Sequence, residues 1–120
     1  HAVPTYCTAG GVAILSKLPD ERIADIVGRS DLTPFTPHTI QSLAEVMGEV
    51  KATRERGHSV LCRQLLYNEV AIRAAILDAE GNPVCAIHVA GSLQEWTADS
   101  FSESFGPLVA NAARTVSERR

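Results

Sequence analysis

No stretch of this sequence is long and apolar enough to read as a membrane-spanning segment, and no signal peptide is visible. Runs of basic residues are missing too: apart from Arg119-Arg120, the lysines and arginines are scattered, and the formal net charge is -3. A surface that binds nucleic acid normally shows clustered positive charge, so these residues are not expected to touch DNA themselves. Cysteine is scarce. Cys7, Cys62 and Cys85 make an odd count with no C-x-x-C pair, which argues against a disulfide framework or a zinc site and for a reducing, cytoplasmic setting. Repeats, low-complexity tracts and internal linkers are absent. The first residue is His1 rather than Met, so the chain reads as part of something longer.

What remains is an ordinary globular composition, 45% apolar and 21% charged over 120 residues, enough for one domain with its own core. Residues 8–17 read as a short helix with Thr8 as its N-cap. The near absence of side chains at Ala9-Gly10-Gly11 opens its first-turn N–H groups to close approach by an anion. The same glycines would also let the helix pack closely on a sheet. A second helix starts around Pro19-Asp20-Glu21 and puts Ile23, Ile26 and Val27 on one face. Leu32 to Pro37 is a loop. Thr39 to Arg56 has Ile40, Leu43, Val46, Met47 and Val50 at helical spacing, and Gly57 stops it.

Three strands are expected next, His58–Leu66, Glu69–Leu77 and Pro83–Ala90, the last two joined by a turn from Asp78 to Asn82. A final helix capped at Thr97 carries Phe101, Phe105, Leu108, Ala112 and Val116, with a kink expected at Pro107. Consecutive strands flanked by helices predict an α+β architecture.

Alternation along the strands separates two faces. Val70, Ile72, Ala74 and Ile76, with Cys85, Ile87 and Val89, form a uniformly apolar set that should face helices. The opposite set is Glu69, Ala71, Arg73 and Ala75, with Val84, Ala86, His88 and Ala90. Small residues around one Arg and one His read as a concavity with two polar heads in it. Glu69 lies roughly 13 Å along the strand from Arg73, too far to pair with it. Arg73 therefore either faces a ligand or meets an acid across the sheet, and His88 either contacts that ligand or bonds a backbone carbonyl.

The order and spacing of several blocks carry a resemblance. They are Pro4-Thr5-Tyr6-Cys7-Thr8-Ala9-Gly10-Gly11-Val12-Ala13-Ile14-Leu15, Leu18-Pro19-Asp20-Glu21, Leu32-Thr33-Pro34-Phe35-Thr36-Pro37-His38-Thr39-Ile40, Arg56-Gly57-His58-Ser59, Asp78-Ala79-Glu80-Gly81-Asn82-Pro83 and Val89-Ala90-Gly91-Ser92. Together they resemble the effector-binding domain of IclR-type bacterial transcription regulators, from Pro4 to about Ser117. The resemblance implies a GAF-like or profilin-like antiparallel sheet with helices on its faces. It also implies two strands preceding this segment, so residues 1–120 would be an effector-binding domain incomplete at its N-terminal side.

It further implies a small-molecule effector, an organic or aromatic carboxylic acid, with no cofactor or metal, held by backbone at Ala9 and Gly10 and by side chains at Leu61, Ala71, His88 and Ala90. Relatives often carry an acid where Leu61 stands, Cys or Ser at Ala71, and small hydroxyls at His88 and Ala90, so the place of the pocket carries over and its ligand does not. Periodicity adds Arg73 to this set. Homo-oligomers, dimers or tetramers, are implied, with DNA contacted only through an N-terminal domain outside these residues. Two other readings stand beside it: an enzyme using Cys7, His88 and Arg73, and a pure oligomerisation module.

Overall fold

The computed structural model describes residues 9–29, 42–63 and 67–118. Four helices and three strands follow one another: α1 (Ala9–Leu15), α2 (Asp20–Gly28), α3 (Leu43–Arg56), β1 (Ser59–Cys62), β2 (Glu69–Leu77), β3 (Pro83–Ser92) and α4 (Ala98–Glu118). The strands form one antiparallel sheet in the order β1-β2-β3. One face is covered by α1, backed by α2 and α3, and the other by α4. This is the α+β architecture that the sequence predicts, with helices on both faces of the sheet.

Two apolar clusters follow from the alternation along β2. Even-numbered Val70, Ile72, Ala74 and Ile76 pack with Phe101, Val109 and Ala113 of α4. Odd-numbered Ala71 joins Leu61, Val12 and Leu15, then Ile23 and Val27 of α2 and Val46 and Val50 of α3. Burial of these side chains is the main drive to fold, about 1.5–3 kcal/mol for each large one. Over the first cluster, Trp96, Phe101 and Phe105 form a trio with ring centroids 4.9–5.5 Å apart. Phe101 needs a niche opposite Gly91, where a Cβ would stand 2.5 Å from its ring.

Several boundaries differ from the sequence reading, each for a local reason. Helix α3 begins at Leu43 and not at Thr39, because Ser42 is extended (φ -144°, ψ 156°) and its hydroxyl accepts from the Glu45 N–H at 3.1 Å. That is the Ser-x-x-Glu capping pattern; Thr39 and Ile40, where the sequence reading starts this helix, lie outside the described residues. Leu43, one of the apolar residues at helical spacing, is 40% exposed. The helix does end at Gly57, which takes the left-handed φ of 87° and bonds the Thr53 carbonyl at 2.8 Å.

Strand β1 stops at Cys62 rather than Leu66, since Arg63 turns to a positive φ of 59°. Strand β3 runs on to Ser92, held opposite Glu69. Asp78 closes the hairpin: its carboxylate accepts from the N–H groups of Glu80 and Asn82, both at 2.9 Å, and Gly81 adopts a φ of 86°. The register shifts between Ile76 and Leu77, and Cys85, expected among the apolar set, is exposed there.

Helix α4 starts after Thr97, whose hydroxyl accepts from Ser100 N–H at 3.0 Å, and continues through Pro107. Its buried face is Phe101, Gly106, Val109 and Ala113. The sequence reading placed Leu108, Ala112 and Val116 there instead. Steps of four from Phe105 reach Val109 and Ala113, whereas Leu108 is 64% and Val116 39% exposed. The helix carries two adjoining apolar stripes, and contact with the sheet selects the one holding small residues. Gly106 is part of that choice, because a Cβ there would collide with the His58 ring.

Candidate functional site

The site is built from two adjacent rows across the sheet. In the first, Leu61 of β1, Ala71 of β2 and Ala90 of β3 stand opposite one another; in the next, Ser59, Arg73 and His88 do. All six side chains project to the face under α1 by the alternation of the strands. The tertiary fold therefore brings together the five strand residues singled out in the sequence, from three segments of chain. Ala9 and Gly10 are the opening residues of α1, the helix lying over that face. The expected cap Thr8, together with Tyr6, Cys7 and His38, lies outside the described residues.

Their surroundings differ from one another. Leu61 and Ala71 are only 5% and 7% exposed, inside the apolar cluster with Val12 and Leu15. Here the expectation of an open concavity is corrected: α1 sits directly on the middle of the face, so this part is packed core. His88 and Ala90 are exposed on β3, which has no further strand beside it among the described residues. At the end of the first row a shallow cavity of about 410 Å³ is lined by Asn68, Glu69, Ala90, Gly91 and Ser92.

Arg73 lies between the packed and the open parts. It is half-buried, and its Nε is buried without a hydrogen-bond partner among the described residues. Its cross-strand neighbours are Ser59 and His88, not an acid. The ion pairs among the described residues are Arg29–Asp25 and Arg54–Asp20, and neither includes Arg73. A buried guanidinium N–H with no acceptor is costly unless something supplies one. His88 titrates below the usual histidine range, first because it is partly buried and then because of the Arg73 guanidinium, with Glu69 opposing. The ring is thus biased to its neutral form beside a fixed positive charge.

Three features had not been read from the sequence. Arg54 of α3 reaches 38 residues back to the end of α1: Nε donates to the Ser16 carbonyl at 3.0 Å and the terminal nitrogens to the Leu18 carbonyl at 2.8 Å and the Asp20 carboxylate at 3.0 Å. It ties the helix over the site to the one behind it. Ser59, 1% exposed, donates from Oγ to the Arg73 carbonyl at 3.3 Å. His58, assigned no role, is 6% exposed and bonds Ser102 of α4 through Nε2 at 3.1 Å. No local pattern announces contacts between residues 14 to 44 positions apart.

Among the described residues, no group of three or more His, Cys, Asp or Glu side chains is placed to hold a metal ion. No helix among them is long and apolar enough to cross a membrane.

Residues 1–118 match the family model described as bacterial transcriptional regulator IclR, C-terminal. The chain belongs to the IclR family. It is 31% identical over 115 residues to the HTH-type transcriptional repressor AllR of Klebsiella pneumoniae, which covers 96% of this chain and 42% of that protein. The chain thus spans less than half the length of such IclR relatives. The crystal structure of the Agobacterium tumefaciens repressor BlcR superposes with a TM-score of 0.88 at 25% identity, covering 97% of this chain and 47% of that one. The PobR inducer-binding domain from Acinetobacter, a double mutant solved with 3-hydroxybenzoic acid, shares the fold with a TM-score of 0.84 at 21% identity, covering 96% of this chain and 68% of that one. These IclR relatives are transcription regulators, not enzymes.

Proposed function

We propose that residues 1–120 form the ligand-sensing domain of an IclR-type regulator. In this reading it takes a small carboxylate at Arg73 and His88, at the margin of the face packed under α1, and relays occupancy to a DNA-binding domain elsewhere in the protein. The observation that carries the reading is Arg73, whose half-buried guanidinium has a buried N–H without an acceptor. A ligand carboxylate supplies that acceptor, and a charge-assisted bond of this kind is a strong one. The first-turn backbone of Ala9 and Gly10 and the ring of His88 would complete the polar contacts. Ala90, with Leu61 and Ala71 packed behind it under α1, makes the neighbouring surface apolar, which favours a monocarboxylate with an apolar or aromatic body over a very small polar acid.

Signalling requires that the ligand bind two conformations unequally, since equal affinity shifts nothing. Association of two or more such chains would carry the difference to paired DNA-reading domains. Calorimetry with benzoate and benzamide, on the parent chain and on Arg73→Ala, tests the proposal. Benzoate should bind more tightly than the neutral amide. Loss of a charged hydrogen-bonding partner, about 1.5–3 kcal/mol, should weaken benzoate more than tenfold with the fold intact. Equal binding of acid and amide, or unchanged affinity in the variant, contradicts the reading.

A further inference from the structure

A separate groove of about 490 Å³ opens at the end of β2 farthest from Glu69, a size in the usual range for small-molecule sites. It exists because β1 is short. The β1 pairing begins at Ser59 opposite Arg73, so Ala74 to Leu77 runs on with no strand beside it on that edge among the described residues. Gly57 turns the chain away there, and the last turns of α4 form the other wall. An unpaired strand edge usually invites another strand, but this one is partly closed from within, at Leu77. Ser117 Oγ accepts from the Leu77 N–H at 2.9 Å and donates to the Ala113 carbonyl at 2.7 Å.

The floor is apolar, made by Ala74, Ala75, Leu77, Ala110 and Ala113. Around it stand Lys17 just past α1, Arg56 at the end of α3 and Arg114 on α4, together with the acid Glu118. These cations come from three elements that no helical or strand periodicity aligns. Arg114 is oriented by donating to Asn111 Oδ1 at 2.6 Å, and Arg56 by a bond from Nε to the His58 carbonyl at 3.4 Å. None of the three forms an ion pair among the described residues. Against these three positive groups stand Glu118 at the rim and Glu49 of α3, close enough to Arg56 to feel its charge, so the rim stays net positive over an apolar floor.

We propose that this groove binds an organic dianion, a dicarboxylate or a phosphate monoester, with a compact apolar body seated on the alanine floor. Bound there, the ligand would touch the ends of α1 and α3 and the wall of α4 at once. That makes the groove a second input, independent of Arg73. The cations are exposed, so the attraction depends on their convergence and weakens with salt.

Titration of the 120-residue chain followed by amide NMR tests this. The probes are phthalate, phenyl phosphate, benzoate and inorganic phosphate. Phthalate, phenyl phosphate or both should saturably shift the amides of Gly57, Ala75 and Ala110, more tightly than benzoate or inorganic phosphate; whichever binds identifies the headgroup. Lys17→Gln with Arg114→Gln should weaken that binding about tenfold or more. Glu118→Gln should tighten it, a gain that no folding defect produces, and Arg73→Ala should leave it unchanged. The proposal is overturned if neither dianion saturates, if the monoanion or inorganic phosphate binds as well, if the double variant binds as before, or if Arg73→Ala alone abolishes binding.

Discussion

At the scale of single residues, the closest fits are made by glycines facing rings. Gly91 leaves room for the Phe101 ring, which is 2% exposed and central to the cluster under α4. Gly91→Ala forces that ring or the strand to move, and overpacking of this kind costs about 1–3 kcal/mol. An unfolding free energy in urea lowered by that amount, with native circular dichroism, is the expected result. His58 sits in the comparable niche beside Gly106 with its Nδ1 buried and without a hydrogen-bond partner among the described residues. Burial, and then the nearby Arg56 guanidinium, holds its pKa below the usual 6.5. The unfolded chain therefore takes up a proton at a higher pH than the folded one. Stability from this group is fully present above pH 6.5 and falls as pH drops from there through the folded-state value. An NMR titration of the His58 ring should show the depressed pKa directly, and His58→Asn should flatten the fall in unfolding free energy between about pH 7.5 and 5.5.

At the scale of elements, α1 is only seven residues long and cannot stand alone. Its place over the sheet depends on Val12 and Leu15 inside and on the Arg54 fork at its end. Removing that fork leaves two carbonyls and one carboxylate without it. Arg54→Ala should cost about 1–2 kcal/mol, discounted for its partial exposure. It should also speed hydrogen exchange in α1 and α2 well before α4, because the fork crosses between helices on one face only. Uniform acceleration across all elements would show that the fork adds stability without positioning α1. The same experiment bears on the proposed sensing site, since Leu61 and Ala71 are sealed by α1.

At the scale of the whole molecule, the sheet is asymmetric. One edge is shortened at β1 and partly closed by Ser117, whereas β3 is ten residues long, with Val84 47% exposed and no strand beside it among the described residues. A long bare edge recruits a partner strand. The 120 residues alone are expected to associate at least as dimers. Light scattering should show this, with β3 amides slow to exchange in the associated form. A well-folded monomer whose β3 amides are protected would contradict it.

Local chemistry decided much of this protein in advance. The alternation along Glu69–Leu77, the Asp78–Asn82 turn, the stop at Gly57 and the cap at Thr97 depend on neighbours within a few residues, and each stands as the residues predict. The order of the blocks along the chain was enough to indicate the family. Long-range contact decided the rest. Whether Leu61 and Ala71 line a cavity or a core depends on where α1 lands. Which apolar stripe of α4 is buried depends on the shape of His58 and the sheet beneath it. That Arg73 meets Ser59 and His88 rather than an acid depends on strand register, and the convergence of Lys17, Arg56 and Arg114 on the ending of a short strand. Periodicity assigns a side chain to a face; only packing determines what waits on the other side.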